Sequence, residues 1–519
     1  MKYKPEHNLA ETGWRESLRA FLHPRVVSML FLGFSAGVPI LLIFSSLGLW
    51  LREAGVERSA VTFFSWAALG YSFKFVWAPL VDRLPLPVLT RRLGRRRAWL
   101  LLAQFAVITA LVLMALTDPA AGPTALTFMA LAAVMLGFSS ATQDVVIDAY
   151  RIEAAPAELQ ALMSSTYIAG YRIGMLVAGA GALFLAGSLG SELGAYSYAA
   201  WRTTYLAMGA VMLIGVITTL LIPEPTDPQI SRTHYSAGEH LRFVGLFALA
   251  VLSFILVFAT VAPVSDAVSA SLSSLTGSAL AGFLGEACRL LLAGLLAALV
   301  ARFAMRRHWV DPQLVHESYV APVQDFFSRY RHGVAWLLLA LVGLYRVSDI
   351  VLGVIANVFY QDIGFSKEEI AAVVKTFGLF MTLAGGFLGG LMCVRYGVMR
   401  ILFLGALLSA LTNLLFMLLA GLGHDLPMLY LVISADNLSG GIASAAFIAF
   451  LSSLTNISFT AVQYAIFSSL MSLLPKLIGG YSGSMVDALG YPLFFLLTAV
   501  MGLPILVLIG LAQRHLPTR

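Results

Sequence analysis

Fourteen apolar stretches long enough to cross a bilayer constrain this chain more than any other feature. They lie at 26–51, 60–81, 98–116, 124–150, 161–187, 199–222, 241–264, 279–306, 333–358, 367–392, 398–419, 427–453, 460–484 and 490–512. A spanning helix needs roughly 20 mostly apolar residues. In lipid the backbone polar groups must be satisfied within the segment, which selects helices over irregular chain. With 59% hydrophobic and 12% charged residues among 519, the chain is expected to be an all-α polytopic membrane protein. The first apolar run exceeds the roughly 7 to 15 residues of a signal-peptide core and lacks a small-residue cleavage site, so it reads as a retained helix.

The basic residues orient these spans. With the N-terminus in the cytoplasm, one side collects Lys2, Lys4, Arg15, Arg19, Arg25, the arginines of 83–97, Arg151, Arg232, Arg302, Arg306, Arg307, Arg329, Arg331, Arg395, Arg400, Arg514 and Arg519. The other shows little beyond Arg52, Arg58, Arg202 and Lys367. This bias, with an even number of spans, predicts that both termini are cytoplasmic. The net charge of +6 therefore reports orientation and does not suggest nucleic-acid binding. Cys288 and Cys393 fall in or at the end of spans and support neither a disulfide framework nor a zinc site. The histidines lie in loops and helix ends, so proton chemistry in the core falls to carboxylates. No Walker A, metal-ligand spacing or nucleophile elbow is present, and the expected cofactor set is empty apart from a proton as coupling ion.

Six spans form an N-terminal block, 26–227, after a cytoplasmic segment 1–25. Six more form a C-terminal block, 333–513, before the tail 514–519. Between them, 228–332 holds two added helices and a polar linker. The added pair is expected to be peripheral, with Glu286 and Arg289 neutralising each other one turn apart. Six plus six spans with a central insertion is the major-facilitator plan. A weak internal repeat agrees with it: Ser164-Ser165 precedes Tyr171-Arg172 as Ser468-Ser469 precedes Pro475-Lys476.

Ionisable residues at membrane depth usually mark a pathway. Here they are Lys74, Arg172, Arg346, Asp349, Lys375, Asp436 and Lys476. The cation excess points to an anionic ligand, although Arg346 and Asp349, one turn apart, could also pair with each other. Tyr71, Gln143, Tyr171 and Asn437 add aromatic and amide groups suited to a sugar-peptide, as do Trp77, Tyr167 and Gln463. In the fourth span Asp144 and Asp148 share a helix face. They are read either as proton sites or as a cytoplasmic latch with Arg83, Arg151 or the basic loop. The assignment adopted puts Asp144, Asp349 and Asp436 in proton coupling, and Asp82, Arg83, Asp148 and Arg151 in gating.

Across both halves the sequence resembles the AmpG muropeptide permease family of the major facilitator superfamily. The resemblance rests on Gly33 to Pro39, Tyr71 to Arg83, Ser140 to Ala149, Gly170 to Gly179, Pro223 to Asp227, Lys375 to Gly378 and Asn437 to Gly441. Asp436 departs from the pattern, standing where some relatives have glutamate. The resemblance implies a bacterial inner-membrane carrier and not an enzyme, and a functional monomer is expected. It would import N-acetylglucosaminyl-1,6-anhydro-N-acetylmuramyl peptides by proton symport, for peptidoglycan recycling and β-lactamase induction. Lys74, Tyr71, Gln143, Tyr171, Arg172, Arg346, Lys375, Asn437 and Lys476 are the expected substrate contacts. A proton-coupled oligopeptide or drug carrier is the alternative, and an intramembrane enzyme acting on lipid-linked sugar is a more distant one.

Overall fold

The computed structural model describes residues 18–56, 71, 73–192, 194–225, 236–276, 278–366, 369–479 and 481–515, with backbone alone at 157, 272–276, 278–284, 286, 287 and 477. Among these residues the only β pairing is an isolated bridge between Glu192 and Ala195. Thirteen helices or helix pairs are long and apolar enough to span a membrane, from Pro24–Glu53 to Ser482–His515. They match thirteen of the fourteen expected segments. The remaining one, 60–81, lies outside the described residues except for Tyr71 and the stretch from Phe73.

The described residues fall into two compact units. One comprises those of 1–81, 85–229 and 327–519; the other comprises Asp82–Leu84 and those of 230–326. Among the described residues of the first unit, buried apolar side chains form these three clusters. One is drawn only from the N-terminal half and contains Val38, Trp50, Leu111, Met129, Trp201 and Tyr205. A second is drawn only from the C-terminal half and contains Val351, Phe359, Phe416, Leu429, Phe494 and Phe495. The third joins Val26, Leu32, Val145, Tyr150 and Leu162 to Leu391, Ala461, Val462 and Ala465, and so forms a seam between the halves.

Glycines set the closest approaches. A Cβ on Gly170 would stand 1.9 Å from the Leu30 carbonyl oxygen, and one on Gly33 would stand 2.2 Å from that of Tyr167. The first and fifth spans therefore touch backbone to backbone, as small residues permit in membrane helices. At the seam, a Cβ on Gly390 of the tenth span would meet the Ser165 hydroxyl of the fifth at 2.0 Å.

Several spans are interrupted, and the interruptions carry polar residues. The described part of the second span has a 3-10 turn at Lys74–Val76 before the helix Ala78–Arg83. The ninth breaks at Tyr345 and Arg346 and resumes as Val347–Asp362. π-Helical turns occur at Val177–Gly181 in the fifth span, at His316–Val320 ahead of the ninth and at Ile370–Phe377 at the start of the tenth.

In the second unit the first added helix, Ala237–Thr260, opens with a Ser236/Glu239 capping box. It gives way to a separate helix, Ala262–Thr276, beside Pro263. The second added helix is Ser278–Arg306. Its Arg289 lies over the Phe258 ring at 3.8 Å, and Nε donates to the Phe258 carbonyl at 2.6 Å. The expected partner Glu286 has its side chain outside the described residues. Arg83 also finds its partner within this unit, pairing with Glu317 at 3.4 Å.

Candidate functional site

In the N-terminal half, the 3-10 turn brings Lys74 to the fourth span. Lys74 Nζ lies 3.8 Å from Asp148 Oδ2, with both side chains buried. The other carboxylate oxygen of Asp148 accepts from Arg151 at 3.4 Å. Arg151 is fully buried, as few arginines are without several partners. It donates to Ser164 at 3.0 Å and, in the C-terminal half, to Ser452 at 2.7 Å; its guanidinium lies 5.2 Å from the centre of the Tyr464 ring.

Asp144 lies one turn before Asp148 and is buried, and its Oδ1 has no hydrogen-bond partner among the described residues. Lys74 and Asp148 are its charged neighbours. The Tyr71 hydroxyl donates to Ser140 at 2.6 Å, and Trp77 donates to Thr142 at 3.0 Å. Gln143 accepts from Ser35 at 3.4 Å, and its buried amide nitrogen has no partner among the described residues. Tyr171 packs near Tyr167, with ring centres 6.1 Å apart. The Arg172 side chain is exposed and within electrostatic reach of Arg346 in the other half.

The C-terminal half offers a looser set. Arg346, at the break in the ninth span, donates to Ser444 at 2.5 Å and lies 3.5 Å from Asp349. The local pairing of these two is thus present, and Arg346 also reaches the twelfth span. Asp436 accepts from Thr412 at 3.5 Å and feels the charges of Asp349 and Arg346. Asn437 accepts from Thr382 at 2.8 Å. Lys375, on the π-helical turn, donates to Asn357 at 2.9 Å and is exposed. Lys476 is exposed in the last turn of Thr460–Gly479, with no partner among the described residues. Gln463 is occupied elsewhere, accepting from the Asn456 backbone at 2.8 Å and from Arg329 at 3.1 Å.

A second polar cluster ties the seam on the side of the basic loop, and its central residue is one that the sequence alone does not single out. Glu153 accepts from Arg96 through both carboxylate oxygens, lies 3.7 Å from Arg95, and accepts from the Thr460 hydroxyl of the thirteenth span. Arg96 donates to Thr460 as well, at 2.8 Å. Glu224 accepts from the backbone N–H groups of Arg96 and Arg97, capping the start of the third span. The basic loop thus finds its carboxylate in Glu153. Asp148 takes Lys74 and Arg151, and Asp82 is buried.

A model described as the Major Facilitator Superfamily matches residues 26–310. The anhydromuropeptide permease of Escherichia coli strain K12 is 29% identical over 500 residues, which are 96% of this chain and 82% of that one. A Rickettsia conorii chain that bears the AmpG 4 name is 28% identical over 491 residues, covering 95% of this chain and 97% of its own. Among solved structures, the proton:xylose symporter XylE bound to 6-bromo-6-deoxy-D-glucose aligns with a TM-score of 0.57 at 13% identity, covering 95% of each chain. The E. coli fucose:proton symporter FucP aligns with a TM-score of 0.56 at 12% identity, covering 95% of this chain and 99% of that one.

Proposed function

Because the chain belongs to the Major Facilitator Superfamily and is a polytopic transporter rather than an enzyme, we propose that it imports anhydro-muropeptides across the bacterial inner membrane, driven by protons. The AmpG resemblance of its motifs is borne out by two relatives matched over nearly its whole length. The observation that most supports the substrate is the set of cations offered by both halves: Lys74 and Arg172 from one, Arg346 from the other. A ligand whose peptide carries carboxylates would pair with Arg172 and compete with Asp148 and Asp349 for Lys74 and Arg346. Tyr71, Gln143, Tyr171 and Asn437 contact its sugars and amides, and Lys375 and Lys476 add further cationic contacts.

The blocks 26–227 and 333–513 rock against each other, with 228–332 as an appended helix pair and linker. Both termini lie in the cytoplasm with the basic loop, and the protein acts as a monomer. The seam around Arg96, Glu153 and Thr460, reinforced by Arg151 and Ser452, serves as the cytoplasmic gate. Asp82, Arg83 and Asp148 help to set its balance, and the coupled proton rides on one of Asp144, Asp349 and Asp436. Counterflow of defined anhydro-muropeptides in proteoliposomes tests this reading. Exchange of the intact ligand is the expected result, and failure to exchange any of them overturns the substrate assignment.

A further inference from the structure

Among the described residues of the N-terminal half, four charged side chains form one electrostatic set: Lys74, Asp144, Asp148 and Arg151. Asp148 is held from two sides, by Lys74 at 3.8 Å and by Arg151 at 3.4 Å. Asp144 shares Lys74 at longer range, and its Oδ1 has no hydrogen-bond partner among the described residues. The titratable groups facing Asp144 are Lys74 and Tyr71 from the second span, Asp148 on its own helix, Tyr167 and Tyr171 from the fifth and Tyr464 from the thirteenth.

The charges decide what this set can hold. With both aspartates ionised, two cations face two anions and the set is neutral. A ligand carboxylate arriving at Lys74 would then leave a net negative charge out of water, which is costly. With one aspartate protonated the set carries one positive charge, and the incoming carboxylate neutralises it. Asp148 is clamped by two cations, Lys74 and Arg151, whereas Asp144 has no such clamp.

We propose that Asp144 carries the coupled proton and that one proton on Asp144 accompanies the ligand carboxylate engaged by Lys74, so that loading is electroneutral. This rests on the reading of the chain as a muropeptide importer. On the outer side a proton from water forms an O–H bond on the Asp144 carboxylate as the ligand anion pairs with Lys74. On the inner side the ligand leaves, Lys74 returns to the two aspartates, and the Asp144 proton passes back to water.

The test is the affinity of purified full-length protein for an N-acetylglucosaminyl-1,6-anhydro-N-acetylmuramyl peptide, measured by calorimetry across pH. On the alkaline side the wild-type affinity should fall about tenfold per pH unit, the signature of one linked proton. Asp144→Asn, which fixes the uncharged form, should bind with an affinity that no longer follows pH, and Asp144→Glu should keep the slope. A role in packing alone would move neither slope. A wild-type affinity that stays flat through the alkaline range, or a slope that persists in Asp144→Asn, overturns the assignment. Absence of any binding by the wild type sinks the muropeptide reading itself, a separate failure.

Discussion

Arg96 donates to Glu153 twice, from Nε at 2.9 Å and from Nη2 at 2.5 Å, with the guanidinium buried. Because Thr460 donates to the same carboxylate, one acidic side chain joins the third, fourth and thirteenth spans, and with them the two halves. A forked guanidinium on a carboxylate is a directional contact, so it fixes how the halves meet as well as holding them together.

Removing that carboxylate should loosen the seam. Glu153→Gln keeps an acceptor for Arg96, which still donates to Thr460, but removes the opposite charge from a buried guanidinium, a loss of up to about 3 kcal/mol for the closed arrangement. Ser165→Cys, covered by Gly390 when the seam is shut, should then react faster with maleimide than in the otherwise native protein. Equal reaction rates in the two backgrounds would show that the seam does not depend on this pair.

Lys74→Ala and Arg172→Ala should each weaken ligand binding tenfold or more in protein that still inserts and folds. Removing a charge-assisted hydrogen bond to the ligand in a partly dry cavity costs about 1.5 to 3 kcal/mol. Titration calorimetry on folded, monodisperse variants measures this, and native affinity in either would remove that residue from the site.

Gly170→Ala should destabilise the N-terminal half. Its new methyl would stand 1.9 Å from the Leu30 carbonyl oxygen, so the first and fifth spans must move apart. Overpacking of this kind costs roughly 1 to 3 kcal/mol. Thermal unfolding in detergent should show a lower midpoint, and an unchanged midpoint would mean that the two helices slide freely.

Just before the tenth-span helix, which begins at Ile370 rather than at 367, Glu369 accepts from His424 at 3.0 Å and from the Ser366 backbone at 2.8 Å, and these bonds hold its carboxyl below the usual glutamate range. A depressed carboxyl stabilises the fold above its ordinary pKa and loses that contribution as pH falls through the lowered value. Glu369→Gln should therefore lower the unfolding midpoint slightly at neutral pH, and the difference should vanish in acid. A difference that grows in acid would contradict the sign.

Hydropathy exposed the spans because lipid imposes one solution on an apolar segment, and thirteen expected segments have helical counterparts. The paired face of Asp144 and Asp148 was legible for the same local reason, a spacing of four residues on one helix. Glu153 was not. At the end of the fourth span it looks like one more surface charge, and its partner Arg96 lies 57 residues earlier. Lys74 shows no carboxylate within a turn of itself, and its pairing with Asp148 comes only from packing the second span on the fourth. The break beside Pro263 had a visible cause but sat inside a continuous apolar run. The π-helical turns left no sign in residue type, since Ile370–Phe377 reads as an ordinary apolar helix.

That last segment bears on how the chain tolerates change. A π turn holds a residue more than the α-helix Gly378–Tyr396 that follows it. Deleting a residue from a regular span turns everything on one side by about 100° relative to the other. Within 370–377 the same deletion could be absorbed by relaxation to α geometry, leaving Gly385 and Gly390 aimed at their present neighbours. Relatives that differ in length by one residue at this place could therefore keep the same tenth-span packing, and an alignment gap there would record a change of helical pitch rather than a missing loop.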